Sequence, residues 1–359
     1  MKNNLTEKDI ENLNKWAEKY NIEELKIKDK EKIFNLEELH IISVSLTELP
    51  KEIGILTNLK ILDIECYNLN ELPKEIFNLI NLEELSIGSE NLTELPKEIE
   101  NLTNLKILDI VCFKLNELPK EIFNLINLEE LDITNHNLTE LPKEIGNLIN
   151  LEKLYISNVN LIELPKELTE LPKEIGNLTN LKRLEISCHK LKELPKEIFN
   201  LTNLKELLIN CNNLEELPKD IGNLTKLKRL TIRCDKLDRL PKEIGNFIKL
   251  EYILIGSKSL KVLPKEIGNL KKLKDFTLWL NNLTKFPKEI VNLVRLERLE
   301  INRGDNLKEF PKEIINLVKL KDLEISHCNK IKNLLKEIEN LTKFKRFRIK
   351  RLSLSKIFK

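Results

Sequence analysis

The sequence predicts an α/β solenoid, a coil of short parallel strands joined by return segments that carry turns or short helices. Pro50, Pro73, Pro96, Pro119, Pro142 and Pro165 stand 23 residues apart, as do the six prolines from Pro172 to Pro287. Around nearly every one the same frame recurs, Leu-x-x-Leu-x-Ile-x-x-x-x-Leu-x-x-Leu-Pro-Lys-Glu-Ile-x-Asn-Leu-x-Asn, as from Leu82 to Asn104. Within the frame the Leu-x-Ile pair alternates with the period of a strand. A period of roughly 20 to 50 residues marks a repeat architecture whose units contact only their neighbours. The 359 residues therefore read as one long domain.

Composition fits a thin core repeated many times. Charged residues make up 33% and aromatics 5%, while Leu and Ile supply most of a 41% hydrophobic fraction, which argues against disorder. The six cysteines, at 66, 112, 188, 211, 234 and 328, fall inside repeats without Cys-x-x-Cys spacing, and the chain is too long for a small disulfide scaffold. The first residues lack the apolar run of a signal peptide, and no apolar stretch of about 18 residues follows. The expectation is a cytoplasmic protein with free thiols and no membrane span.

A net charge of +2 conceals a strong asymmetry. Residues 1–220 carry 26 Lys and Arg against 42 Asp and Glu, whereas residues 221–359 carry 34 against 16. Along an extended coil this makes a large electric dipole.

The elements follow in order. Residues 7–20 predict a helix, with Thr6 and Asp9 as a capping box and Ile10, Leu13, Trp16, Ala17 and Tyr20 on one face, covering the open end of the first repeat. Ile22 to Ile27 reads as a shortened strand. Regular strands are expected from Leu36, Leu59, Leu82, Leu105, Leu128, Leu151, Leu181, Leu204, Leu227, Leu250, Leu273, Leu296, Leu320 and Phe344. In each the Leu-x-Ile pair, such as Leu62 and Ile64, points inward and the residue between them faces solvent. Strands joined by long returns must be parallel, and Leu-Pro gives each return an extended start before a helical turn. The apolar burial of one unit falls short of its ordering entropy, so stability must come from stacking.

Three departures stand out. Pro165 and Pro172 are only seven apart, a slipped duplication expected to bulge from the return side. Asn306 and Asn329 mark turns of 24 residues, for which a β-bulge is the simplest accommodation. At the end, Phe344, Phe347, Ile349, Leu352 and Leu354 keep the inward pattern, while Lys345, Arg346, Arg348, Lys350 and Arg351 make a basic face that serves either as a solvated cap or as an electrostatic docking patch. The chain divides into a helical cap with a degenerate first repeat (1–35), the repeats (36–342) and a basic capping strand (343–359).

This frame resembles the leucine-rich repeat family in its 23-residue Leu-Pro-x-Glu-Ile variety, the form seen in bacterial repeat proteins and Ras-group relatives. The resemblance implies a right-handed horseshoe with a parallel sheet on its concave side, short helices or turns on its convex side, and partners, mostly proteins, bound on the concave face. One place departs from it. The family's turn-holding Asn is replaced by Val44, Tyr67, Glu90, Phe113, His136, Val159, His189, Asp235 and Lys258, and only Asn212 and Asn281 keep it. One residue earlier stand Ser43, Cys66, Ser89, Cys112, Asn135, Asn158, Cys188, Cys211, Cys234 and Ser257, which can substitute for the usual ladder.

Chemistry-bearing constellations are absent from the pattern. Cys188, Cys211 and Cys234 share one frame position in consecutive turns, but side chains projecting in parallel do not converge on a tetrahedral zinc. The four histidines fall in separate turns without a recurrent acid or Ser partner. No enzyme, cofactor or metal is expected. Free strand-face positions are the better place to look: Asp63, Ser86, Asp109, Asp132, Tyr155, Glu185, Leu208, Thr231, Leu254 and Thr277 run from acidic to apolar, with Tyr252 on the same face and Trp279 just past the strand beside them.

The function expected is a non-enzymatic scaffold holding a protein partner against the strand face, with Tyr155, Leu208, Tyr252, Leu254 and Trp279 as exposed anchors. Two alternatives stay open: the basic C-terminal half binding an acidic polymer or surface, nucleic acid being disfavoured for want of stacking aromatics, and head-to-tail self-association driven by the dipole.

Overall fold

A computed structural model describes residues 6–26, 29–158, 168–304, 306–308, 311, 314 and 316–327, together with the strand at 346–350. Contacts divide the chain into two compact units, Met1–Leu181 and Lys182–Lys359. Each is an α/β coil of parallel strands joined by return turns.

The first unit opens on helix α1 (Glu7–Tyr20), whose Thr6 hydroxyl accepts from the Asp9 amide while the Asp9 carboxylate accepts from the Thr6 amide. Ile10, Leu13 and Ala17 are buried, Trp16 and Tyr20 half-buried. Asn12 donates to Glu52 at 2.9 Å, which pins the helix to the first return turn. Among the described residues of the segment Ile22 to Ile27, where a strand was expected, Glu23–Leu25 is instead a 3-10 turn, because Leu25 must fold back to be buried beneath α1, where Asn14 donates to its carbonyl; Ile27 lies outside the described residues. A short helix α2 (Lys30–Phe34), capped by Asp29, leads into the sheet.

Strands β1 (Glu38–Ile42), β2 (Ile61–Glu65), β3 (Glu84–Ser89), β4 (Ile107–Cys112), β5 (Glu130–Thr134) and β6 (Lys153–Asn158) pair in sequence order, all parallel and in steps of 23 residues. The second unit repeats the plan with β7 (Arg183–Cys188), β8 (Glu206–Asn210), β9 (Arg229–Arg233), β10 (Tyr252–Ser257), β11 (Asp275–Leu280), β12 (Arg298–Asn302), β13 (Asp322–Ser326) and β14 (Arg346–Lys350). The inward pair of every strand from β1 to β13 is buried, Leu and Ile throughout except Ile253 with Ile255 on β10 and Phe276 with Leu278 on β11.

The returns after Pro50 to Pro142 and after Pro172 to Pro287 each carry a 3-10 turn that starts directly after proline, as at Lys74–Asn78, where Pro73 is in extended backbone and its carbonyl accepts from the Ile76 amide. The residue after that Ile decides how closely the next turn approaches. A Cβ on Gly54 would stand 2.1 Å from the Glu75 carbonyl oxygen, whereas Phe77, Phe123 and Phe199 fill the same place and hold the next turn further off.

The two 24-residue steps, from β12 to β13 and from β13 to β14, contain no bulge inside the paired strands. The chain leaves β12 and β13 through Arg303 (φ 62°) and His327 (φ 56°), both in the left-handed region, while Asp305 and Cys328, beside which a bulge was expected, lie outside the described residues. The Pro165 side of the duplication, with Lys345 and Arg351, lies outside the described residues, and Arg346, Arg348 and Lys350 stand on β14.

Candidate functional site

Two ladders hold the turns together, and both free the strand faces for other work. The first uses the residues one place before the family's Asn position. Asn135, Asn158, Ser89, Ser257 and five cysteines there are buried, which settles which of the two places points inward. Asn135 donates to the Cys112 and Leu115 carbonyls and accepts from the Asn137 and Leu138 amides. Ser89 donates to the Leu69 carbonyl and accepts from the Asn91 and Leu92 amides. Cys66 and Cys112 donate to the Ile41 and Ile87 carbonyls, and burial raises their thiols to about 11 and about 12.

The second ladder was present in the repeated frame, but its role was not evident there. Asn58, Asn81, Asn104, Asn127, Asn150 and Asn180 each donate to a carbonyl of the preceding turn, at 2.8 to 3.0 Å. From Lys226 onward the same place holds Lys226, Lys249, Lys272, Arg295 and Lys319, all exposed. This substitution is one source of the basic C-terminal half.

The face of the second unit's sheet is arranged in rows across the strands. Arg229, Tyr252, Asp275 and Arg298 form one row, Leu208, Thr231, Leu254, Thr277 and Glu300 the next, and Arg233, Gly256, Trp279 and Asn302 a third. Trp279 is a strand residue, not one past the strand, because β11 runs to Leu280. It is 38% exposed. The Arg233 guanidinium lies 5.0 Å from the Trp279 ring centroid and that of Arg229 4.4 Å from the Tyr252 ring. Leu254 is not the exposed anchor the sequence suggested: it is 4% exposed, since it lies between Thr231 and Thr277 with Tyr252 and Gly256 flanking it along its own strand. Leu208 is half-buried in the same row. Asp275 and Arg298 approach to 3.6 Å, and Arg298 also pairs with Glu300.

The first unit's face has a different character. Tyr155 stands on β6 opposite Asp132. Across β2 to β5 the face carries Asp63, Glu65, Glu84, Asp109, Glu130 and Asp132. Asp63 and Asp109 each keep one carboxylate oxygen buried without a hydrogen-bond partner. Burial, then the charges of Asp132, Asp63, Glu130 and Glu65, raise the Asp109 carboxyl to about 6. A pocket of about 210 Å³ opens here, lined by Glu65, Tyr67, Ser86, Gly88, Ser89, Glu90, Asp109, Val111 and Phe113. Among the described residues no group of His, Cys, Asp and Glu is arranged to hold a metal. No helix among them is long and apolar enough to cross a membrane.

A coil of stacked strand-and-turn units with its variable residues on the open strand face defines a class of repeat protein. The chain belongs to the leucine-rich repeat family: the family model described as a leucine-rich repeat region matches residues 12–114, 78–163, 159–242 and 234–357. It is similar to a leucine-rich repeat protein of Leptospira interrogans, 34% identical over 82% of this chain and 86% of that one, with a TM-score of 0.51. The fold is also that of an internalin from Listeria monocytogenes, at 17% identity over 89% and 94% of the two chains (TM-score 0.57). It is likewise that of a chain in the Toll–Spatzle complex of Drosophila, at 21% identity over 81% of this chain and 42% of that one (TM-score 0.65). No curated protein matches the chain.

Proposed function

We propose that the chain is a non-enzymatic scaffold that holds a protein partner against the open strand face, with Tyr252 and Trp279 as the anchors in the second unit. The observation that carries this reading is the pair of cation-stacked rings. Tyr, Trp and Arg are the residue types that dominate interface energies, and rings already held by Arg229 and Arg233 lose little freedom on binding. Leu208 extends the patch, Leu254 supports it from below, and Tyr155 offers a further aromatic on the first unit's face. The family and the fold shared with a chain of the Toll–Spatzle complex support a protein as the partner.

The test is affinity capture from lysate of the source cell with wild type, the Tyr252→Ala, Trp279→Ala double variant and a control pair, Ile126→Ala and Val294→Ala, exposed on the return turns. A protein recovered by wild type and control but lost from the double variant is the expected result. Equal recovery by all three would overturn the site.

A second reading rests on Lys226, Lys249, Lys272, Arg295 and Lys319, one exposed cation per turn: an acidic polymer or surface could follow that stripe. A DNA duplex should then bind wild type at low salt, weaken steeply as salt rises, and lose affinity for a Lys226→Asn, Lys249→Asn, Lys272→Asn variant. No binding at low salt would dismiss it.

A further inference from the structure

We propose that the pocket over Gly88 receives an arginine side chain of a protein partner, its guanidinium entering between Glu65, Glu90 and Asp109 beside the rings of Tyr67 and Phe113. The inference deepens the scaffold reading by naming what the partner presents to the first unit.

It starts from the glycines. In the return turns, a Cβ on Gly54, Gly146, Gly222, Gly245 or Gly268 would come within 2.1 to 2.8 Å of the next turn, so the close approach of that turn requires glycine at these five sites. Gly88 and Gly256 are different. They stand on the strand face, where a Cβ would meet nothing nearer than 3.5 Å and 3.6 Å, and neither has a positive φ. Neither steric room nor backbone conformation asks for glycine at these two places. What each does is leave a gap in its row.

The two gaps have opposite outcomes. At Gly256 the neighbours in the row are Arg233 and Trp279, and the chain's own guanidinium covers the gap and lies over the indole. At Gly88 the neighbours are Glu65 and Val111, and the gap stays open as the 210 Å³ pocket. None of its lining residues is a cation, while three are carboxylates. The chain thus shows in one unit how such a gap is filled, and in the other presents the gap with the complementary charge.

Shape and chemistry favour the same ligand. The volume lies below the roughly 300 to 1,000 Å³ of small-molecule sites, which suits one side chain better than a metabolite. Tyr67 is 51% exposed on the rim. One face of Phe113 is covered by His136, stacked at 4.2 Å with an interplanar angle of 8°, which leaves its other face toward the pocket it lines. Burial lowers the His136 pKa, so that ring is neutral and does not offset the acids. A planar, weakly hydrated guanidinium can stack on an aromatic and bond carboxylates at once, which an ammonium cannot do as well.

The experiment is an amide NMR titration of the full chain with acetyl-Gly-Arg-Gly-amide and with its neutral citrulline analogue, at about physiological salt, roughly 0.15 M, to screen unspecific attraction. The arginine peptide should shift the Ser86, Gly88 and Glu90 amides, and the citrulline peptide should bind about tenfold more weakly, the scale of a charge-assisted contact. Gly88→Leu, which fills the pocket, should abolish binding. Tyr67→Ala, a half-exposed site whose loss leaves the core intact, should weaken it roughly threefold. Equal binding of both peptides, or arginine binding unchanged in both variants, would overturn the pocket while leaving the Tyr252 and Trp279 capture experiment to judge the scaffold.

Discussion

The guanidinium of Arg233 lies over the ring of Trp279 at 5.0 Å from its centroid, although the two stand on β9 and β11 with β10 between them. Contact across an intervening strand is possible because the residue between them is Gly256. A half-exposed cation–π pair is worth about 0.5 to 1 kcal/mol. A double-mutant cycle of Arg233→Met and Trp279→Leu, followed by urea unfolding, should return a coupling energy of that size. Gly256→Leu alone should remove the same coupling by parting the two groups, and an unchanged coupling in that background would show that the pair does not depend on the gap.

Asp109 makes stability depend on pH in an unusual direction. Its folded pKa, about 6, lies above that of an unfolded aspartate, so the folded state binds the extra proton and stability falls as pH rises from about 4 to about 6. Asp109→Asn should therefore stabilise the protein at pH 7 by about 1 kcal/mol once solvent screening is allowed for, with the gain disappearing near pH 4. Thermal unfolding of wild type and variant across that range measures it, and a gain that persisted at low pH would contradict the electrostatic origin.

Asn135 makes four hydrogen bonds in the inner ladder, two donations and two acceptances, while buried. Asn135→Leu should cost about 3 kcal/mol, since it strands several buried backbone groups. Asn135→Ser should cost about 1 kcal/mol, because Ser89 and Ser257 already make three bonds of the same kind from equivalent places. Chemical denaturation of the two variants decides the order.

Alanine at Gly54 and at Gly88 should separate the two kinds of glycine. Gly54→Ala drives a methyl onto the Glu75 backbone and should destabilise by about 1 to 3 kcal/mol. Gly88→Ala meets only ordinary contacts and should be neutral or stabilising by about 0.5 kcal/mol, through the unfolded chain. Melting temperatures suffice to distinguish them.

The cysteine thiols of the inner ladder should be inert. With pKa values raised to about 11 or 12 at Cys66, Cys112, Cys211 and Cys234, the thiolate is scarce at neutral pH. Mass-mapped alkylation should label these four only after unfolding.

The regular part of the fold was legible because each inward position is dictated by a strand period and a fixed return, as Leu62 and Ile64 or Lys74–Asn78 show. The segment at Glu23–Leu25 misled because Leu25 and Ile27 imitate the Leu-x-Ile alternation, while tertiary contact with α1 requires a turn. Leu254 misled for a different reason: a position between two inward residues is outward by pattern, but its burial depends on the row mates Thr231 and Thr277 and on Tyr252, which no single repeat reveals. The Gly88 pocket is the residue of a comparison between rows, and a row becomes visible only when the register is known. The Asn58 to Asn180 ladder was in plain view as a repeated letter, yet its bonds reach a carbonyl in the previous turn, a partner the repeat unit alone does not contain.

The residue after Ile in each return turn has a consequence for shape at the smallest scale. Backbone hydrogen bonds fix the strand edge of two successive turns at one spacing of about 4.8 Å, whatever the side chains. Among the described residues the 3-10 edge has no such bonds from turn to turn, and there glycine lets the turns close while Phe77, Phe123 or Phe199 wedges them apart. The approach of consecutive turns at that edge thus responds to one residue per repeat. Exchanging glycine for phenylalanine at that place would re-angle a binding face without altering any residue on it.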